Sequence, residues 1–260
     1  MGRIVVEREG PLVRITIDNP DRYNAMTLSM WTALGDAVAA LDKDPEVRAV
    51  LLRGTGRKAF VSGADISEFE TQRNNPANVA AYNAAVDYAE GGLMRCSKPV
   101  VACIHGVCMG GGIGLALSCD LRYAAKNTRF RMPAARLGLG YGFEGMRRMI
   151  DLIGAPRTAD IFYTARTFDG SEAERIGMVN QAYDSDDLDA AVEEVLRQIA
   201  ANAPLTLHAA KLAIGEALKD PGERDIGSVQ RAVKACFDST DYVEGRRAFT
   251  EKRPAKFTGK

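Results

Sequence analysis

Histidine is scarce in this sequence, with His105 and His208 the only two among 260 residues. Neither has a sequence neighbour that would make it a base: His105 reads as a strand residue facing packing and His208 as a residue of a late helix. The serine-hydrolase elbow GxSxG and the phosphate loop are both missing, so those classes have no support. Gly110, Gly112 and Gly114 do not make a dinucleotide fingerprint, because glycine would be needed at 115. The five cysteines form no CxxC pair and are odd in number, which argues against a disulfide framework or a metal site and for buried free thiols in a reducing compartment, the cytoplasm. Net charge is absent too, since Lys plus Arg and Asp plus Glu number 34 each, leaving no field to recruit nucleic acid. At the start, Val5-Val6-Glu7-Arg8-Glu9 puts charge where a signal peptide needs an apolar core. The one long uncharged stretch, Pro99 to Cys119, carries a histidine and a run of glycines, and reads as a buried strand–helix unit rather than a membrane span.

What is present is a soluble α/β pattern 46% hydrophobic and long enough for one substantial core. Ile4–Arg8 and Leu12–Asp18, joined by Glu9-Gly10-Pro11, predict a hairpin. Thr27 is a good N-cap for a helix running to Asp42, with Leu28, Trp31, Leu34, Val38 and Leu41 on one side. Apolar runs at Val47–Leu52, Val100–Ile104, Leu121–Ala125 and Met178–Ala182 recur between helical segments, which suggests repeated ββα units with strands buried on both faces. From about Asp186 the chain is nearly all helix: Leu188 to Ala201, Leu205 to Lys219, Ile226 to Asp238 and Tyr242 to Lys252.

The most informative segment is Lys98-Pro-Val-Val-Ala-Cys-Ile-His-Gly-Val-Cys-Met-Gly-Gly-Gly-Ile-Gly-Leu-Ala-Leu-Ser-Cys-Asp120. An apolar strand runs into Gly110, Gly111 and Gly112, which open an apolar helix. Glycine lets a ligand approach the main chain, and the first helical turn offers unpaired N–H donors at the positive end of the dipole. Such a junction holds an oxygen that carries or develops negative charge. A second strand exit, Ser62-Gly63-Ala64-Asp65, follows the apolar run ending at Leu52.

Together these two motifs, in this order and separation, resemble those of the enoyl-CoA hydratase/isomerase (crotonase) superfamily. The resemblance extends from Ile15-Thr-Ile-Asp-Asn-Pro-Asp-Arg-Tyr-Asn-Ala25 to Ala248-Phe-Thr-Glu-Lys-Arg253. It implies a crotonase-like ββα spiral core over residues 1–195, a C-terminal helical lobe over 196–260 used for trimerisation, and a homotrimer or dimer of trimers. It also implies an acyl-CoA thioester as substrate, with coenzyme A entering as part of that substrate and no separate cofactor or metal. The backbone N–H groups of Ala64 and Gly111 then form the oxyanion hole. Coenzyme A would meet Arg22, Tyr23 and Ala25 in the first loop, Ser62 and Ile66 around the oxyanion turn, and Phe249 and Lys252 in the terminal helix.

Hydratases of this family hold water between two glutamates, at positions that here are Gly114 and Ala134. Neither can move a proton. Replacement groups are expected in the loop Leu137 to Arg148, where Tyr141 and Glu144 are the candidates for catalysis. Each has another reading: Tyr141 as a packing ring with a wet hydroxyl, Glu144 as a first-turn carboxylate favouring the helix dipole. Asp65 reads chiefly as a turn-stabilising side chain, and Arg136 as a partner for Glu144 or for a substrate carboxylate. The expectation is an enolate-stabilising enzyme of isomerase or decarboxylase type, the alternative a non-catalytic acyl-CoA-binding scaffold or regulator.

Overall fold

In a computed structural model that describes residues 2–68 and 75–260, the ten strands fall into two sheets. In chain order the elements are β1 (Arg3–Glu9), β2 (Leu12–Asp18), α1 (Leu28–Asp42), β3 (Ala49–Gly54), β4 (Ala59–Val61), α2 (Pro76–Arg95), β5 (Val100–Ile104), β6 (Val107–Met109), α3 (Gly111–Leu117), β7 (Leu121–Ala125), β8 (Arg129–Arg131), α4 (Phe143–Ile153), α5 (Ala155–Thr164), β9 (Thr167–Asp169), α6 (Gly170–Arg175), β10 (Gln181–Tyr183), α7 (Leu188–Ala201), α8 (Pro204–Ala217), α9 (Ile226–Asp238) and α10 (Thr240–Glu251). One sheet runs β1-β2-β3-β5-β7-β10 and the other β4-β6-β8-β9. Each of the pairs β3–β4, β5–β6 and β7–β8 gives one strand to each sheet before a helix returns the chain. That repetition is the ββα spiral.

The large sheet is parallel from β2 to β10 and buried on both faces. Val50, Leu52, Val100, Ala102 and Ile104 point into the core shared with α1 and α2. Their alternates Ala49, Leu51, Val101 and Cys103 pack instead against Leu188, Val192 and Leu196 of α7. A strand has a side-chain period of two, so a strand covered on both faces shows no polar alternation, and its unbroken apolar runs follow. The Thr27 hydroxyl accepts from the Met30 N–H, capping α1 as its sequence predicts. The expected boundary at 195/196 falls inside α7, a helix that packs on the sheet. Met178 to Asn180 lead into β10 rather than belonging to it, because the Asn180 N–H donates to the Arg122 carbonyl and its side chain accepts from the Arg122 N–H, and pairing with β7 begins only at Gln181.

Candidate active site

The spiral brings the two glycine turns together. After β6 the chain turns at Gly110, whose φ of +52° is a left-handed conformation suited to glycine, and enters α3. The Gly110 carbonyl accepts from the Ile113 and Gly114 N–H groups, while the Gly111 N–H has no acceptor among the described residues. On the facing turn, Met26 runs beside Ala64, donating to the Gly63 carbonyl at 2.8 Å and accepting from the Asp65 N–H at 2.9 Å. The Ala64 N–H stays outside this ladder and likewise has no acceptor among the described residues. A Cβ placed on Gly111 would stand 4.0 Å from the Gly63 Cα and 3.5 Å from the Trp31 indole, so the turns are in van der Waals reach. Trp31 is itself fixed by donating from Nε1 to the Tyr82 hydroxyl at 2.9 Å. Two unpaired N–H groups on adjacent turns, one at a helix N-terminus, are an arrangement chemically able to hold an oxygen that carries or develops negative charge.

One turn further along α3, the position of the missing side chain at Gly114 is taken by other groups. A Cβ on Gly114 would lie 2.6 Å from Oε1 of Glu90, on α2, and 3.5 Å from the Tyr141 hydroxyl. Oε2 of Glu90 accepts from Nη1 of Arg148 at 2.6 Å, and the same nitrogen lies 2.9 Å from the Ser118 hydroxyl. Burial raises the Glu90 pKa and the Arg148 cation opposes it, with the net shift upward. Burial, helped by the nearby Glu90 charge, pushes Tyr141 up to about 12, so its hydroxyl stays a donor through the neutral range.

The model of the enoyl-CoA hydratase/isomerase family matches residues 7–260. The chain belongs to this family. It is 32% identical to the short-chain-enoyl-CoA hydratase of Clostridium acetobutylicum over 253 residues, covering 97% of this chain and 96% of that one. To the crotonyl-CoA hydratase of Syntrophomonas wolfei it is 33% identical over 262 residues, covering 99% and 98%. The crystal structure of an enoyl-CoA hydratase/carnitine racemase from Magnetospirillum magneticum superposes with a TM-score of 0.95 at 35% identity, covering 100% of this chain and 97% of the other.

The first loop sits directly on the Ser62–Asp65 turn. The Ser62 N–H donates to the Tyr23 carbonyl at 3.1 Å, the Ser62 hydroxyl to the Arg22 carbonyl at 3.2 Å, and the Arg22 guanidinium lies 3.4 Å from Asp65. Ala25 is buried beside them. Ile66 opens the 3-10 turn Ile66–Glu68, and its side chain lies outside the described residues. Asp65 Oδ1 accepts from the Ser67 N–H and hydroxyl at 2.9 and 2.7 Å. Burial raises its pKa, but these bonds and Arg22 outweigh that and hold it below the usual carboxylate range. Phe249, 87% exposed, and Lys252, the left-handed cap of α10, lie on the terminal lobe. No hydrogen bond or ion pair among the described residues joins them to the first loop.

Glu144 lies exposed in the first turn of α4, where it faces the helix dipole. Arg136 is exposed, and no ion pair between it and Glu144 occurs among the described residues. His105 has a partner 84 positions away in sequence: its Nε2 is 3.1 Å from Asp189. Cys103 lies against the same carboxylate, which Arg57 also holds at 2.9 Å, so a guanidinium already provides the cation there.

The residue that sequence reasoning missed is Glu90. It belongs to no motif and stands 24 positions before Gly114. Its signal was periodicity: Tyr82, Ala89 and Leu93 of α2 face inward, and Glu90 is the one carboxylate among the buried residues of that helix. A carboxylate on a buried stripe needs a partner or a task.

Proposed function

We propose that this protein is an acyl-CoA thioester enzyme that polarises the thioester carbonyl between the Ala64 and Gly111 N–H groups, stabilises the resulting enolate, and redirects it by proton transfer or C–C cleavage rather than by adding water. The observation that carries the reading is the pair of free N–H groups on converging turns, combined with Gly114 and Ala134 where a hydratase holds its two glutamates. General acid–base help contributes about 10²–10⁴-fold, so the loss of both groups leaves the hole without its water-activating partners. The first loop supports coenzyme A binding through Arg22, Tyr23, Ala25, Ser62 and Ile66, with Phe249 and Lys252 meeting it from the terminal helices, which pack the chain as a homotrimer or dimer of trimers. No described helix is long and apolar enough to cross a membrane, and the five free thiols fit the cytoplasm.

The relatives named above as hydratases favour the second reading, simple hydration. Mass spectrometry of 2-enoyl-, 3-enoyl- and saturated acyl-CoA thioesters incubated in heavy water separates them. Deuterium at the α-carbon without added water is the expected result. Addition of one heavy water across the double bond makes the protein a hydratase, and thioesters that bind but return unchanged make it an acyl-CoA-binding scaffold.

A further inference from the structure

We propose that Glu90 is the proton-transferring carboxylate of this site, reaching from α2 over the surface of α3 that Gly114 leaves bare. The inference rests on the enolate-forming reading above and assigns the group that makes the enolate.

The glycine and the carboxylate are two halves of one arrangement. Any side chain at 114 would start 2.6 Å from Oε1 of Glu90, closer than heavy atoms pack, so Oε1 holds this place over α3 because residue 114 is glycine, and a Cβ there would push it aside. Residues 111 and 114 are three apart on α3 and lie on one face, about 5–6 Å from each other. A thioester oxygen held at the Gly111 N–H has its α-carbon two bonds away, and that separation is the reach of a carboxylate standing over Gly114.

The two oxygens of Glu90 have different surroundings. Oε2 is fixed by Arg148, whereas Oε1 has no protein donor among the described residues although the side chain is only 10% exposed. A purely structural ion pair would leave this buried carboxylate oxygen unsatisfied at a net cost, one that a functional group is expected to carry. Arg148 orients the carboxylate, burial raises its affinity for a proton, and the Tyr141 hydroxyl approaches the same point as a neutral donor. One carboxylate suits proton transfer, where a single group takes a proton at one carbon and delivers one at the same or another carbon. It does not suit the holding of a water between two.

In the step proposed, Oε1 takes a proton from the α-carbon of a 3-enoyl thioester. The C–H electron pair moves into the carbonyl, giving the enolate held by Ala64 and Gly111, and Glu90 becomes a neutral acid. The carboxyl proton exchanges with solvent; its delivery back to the α-carbon exchanges the substrate, and its delivery to the γ-carbon, as the enolate electrons restore the carbonyl and shift the double bond by one position, gives the 2-enoyl thioester and regenerates the carboxylate. Nothing is oxidised or reduced.

Acetoacetyl-CoA tests this, because its enolate absorbs in the near ultraviolet. Calorimetry reads binding, the final amplitude of the band reads enolate stabilisation, and stopped-flow reads the rate of proton removal, at a pH where the free thioester is neutral. Glu90→Gln keeps a group for Arg148 and should leave Kd within about threefold and the amplitude largely intact, while slowing the rise of the band by about 10²-fold or more. Gly114→Ala displaces Oε1 without changing charge, should slow the same step, and decides the question if the glutamine variant fails to fold. An unchanged rate in a folded Glu90→Gln, or in Gly114→Ala when that variant alone folds, overturns the role of Glu90 and leaves the enolate reading standing. Wild-type protein that does not bind the thioester, or binds it without any band, overturns both.

Discussion

Gly112 lies so close to Val61 that a Cβ on the glycine would come within 2.2 Å of the Val61 carbonyl oxygen and 3.0 Å of its Cβ. This contact packs the start of α3 on β4, the strand that leads into the Ala64 turn, and so fixes the spacing between the free N–H groups of Ala64 and Gly111. Backbone, unlike the end of a flexible side chain, cannot step aside cheaply.

Gly112→Ala should therefore destabilise the fold by about 1–3 kcal/mol, the usual cost of forcing a methyl into filled space. Thermal unfolding reads this directly. Turnover of the folded fraction should fall as well, since relief of the clash moves α3 away from the Ala64 turn. Stability equal to wild type would mean that the turn yields easily and does not set that spacing.

Ala64→Pro deletes one of the two free N–H groups without touching the ladder beside it, in which Met26 bonds only to Gly63 and Asp65. Loss of one such donor costs about 10²–10³-fold in kcat. The deuterium-exchange rate of a saturated acyl-CoA should drop by that factor in variant protein whose melting curve shows it folded.

How much of this was legible in the sequence follows from the range of each signal. Thr27 as a cap, the buried strands Val100–Ile104 and Leu121–Ala125 and the ends of Leu188–Ala201 are set by residues a few positions apart, and each appeared where its pattern put it, whereas the runs from Val47 and Met178 start two and three residues before their strands. The two glycine turns were legible because glycine at a strand exit leaves a local mark. Glu90 was not: its meaning depends on a glycine 24 positions later and on Arg148, 58 positions away, contacts that exist only once α2, α3 and α4 have packed. His105 and Asp189 were hidden for the same reason.

The ion pair between Arg148 and Glu90 gives a pH signature. The folded-state pKa of Glu90 lies above its ordinary value, so its contribution to stability is fully present below the unfolded pKa and is lost as pH rises through the folded one. Arg148→Met removes the opposing cation and widens that window upward. At neutral pH the variant should lose about 3–5 kcal/mol, the cost of a buried unpaired charge. Much of the loss should return at mildly acid pH, when Glu90 can fold as the neutral acid. Urea midpoints measured at both pH values check this, and a deficit independent of pH would assign it to lost packing instead.

Tyr141 and Glu144 stand three residues apart in sequence, yet the fold treats them differently, and a pair of near-isosteric replacements separates their roles. Tyr141 is held edge-on to Phe162 with ring centroids 5.1 Å apart, and its hydroxyl faces the space over Gly114, while Glu144 projects to solvent from the first turn of α4. Tyr141→Phe keeps the ring and its packing, so stability should change by no more than about 1 kcal/mol, the net worth of a single hydrogen bond. The proton-transfer rate should fall by about tenfold or more, as expected for removal of a neutral donor from a buried site. Glu144→Gln should leave that rate within about twofold and cost only a few tenths of a kcal/mol from the helix dipole. Isotope exchange and thermal melts on the two variants give four readings, and a Glu144→Gln protein that loses exchange while Tyr141→Phe keeps it would relocate the proton chemistry to the first turn of α4 and away from α2.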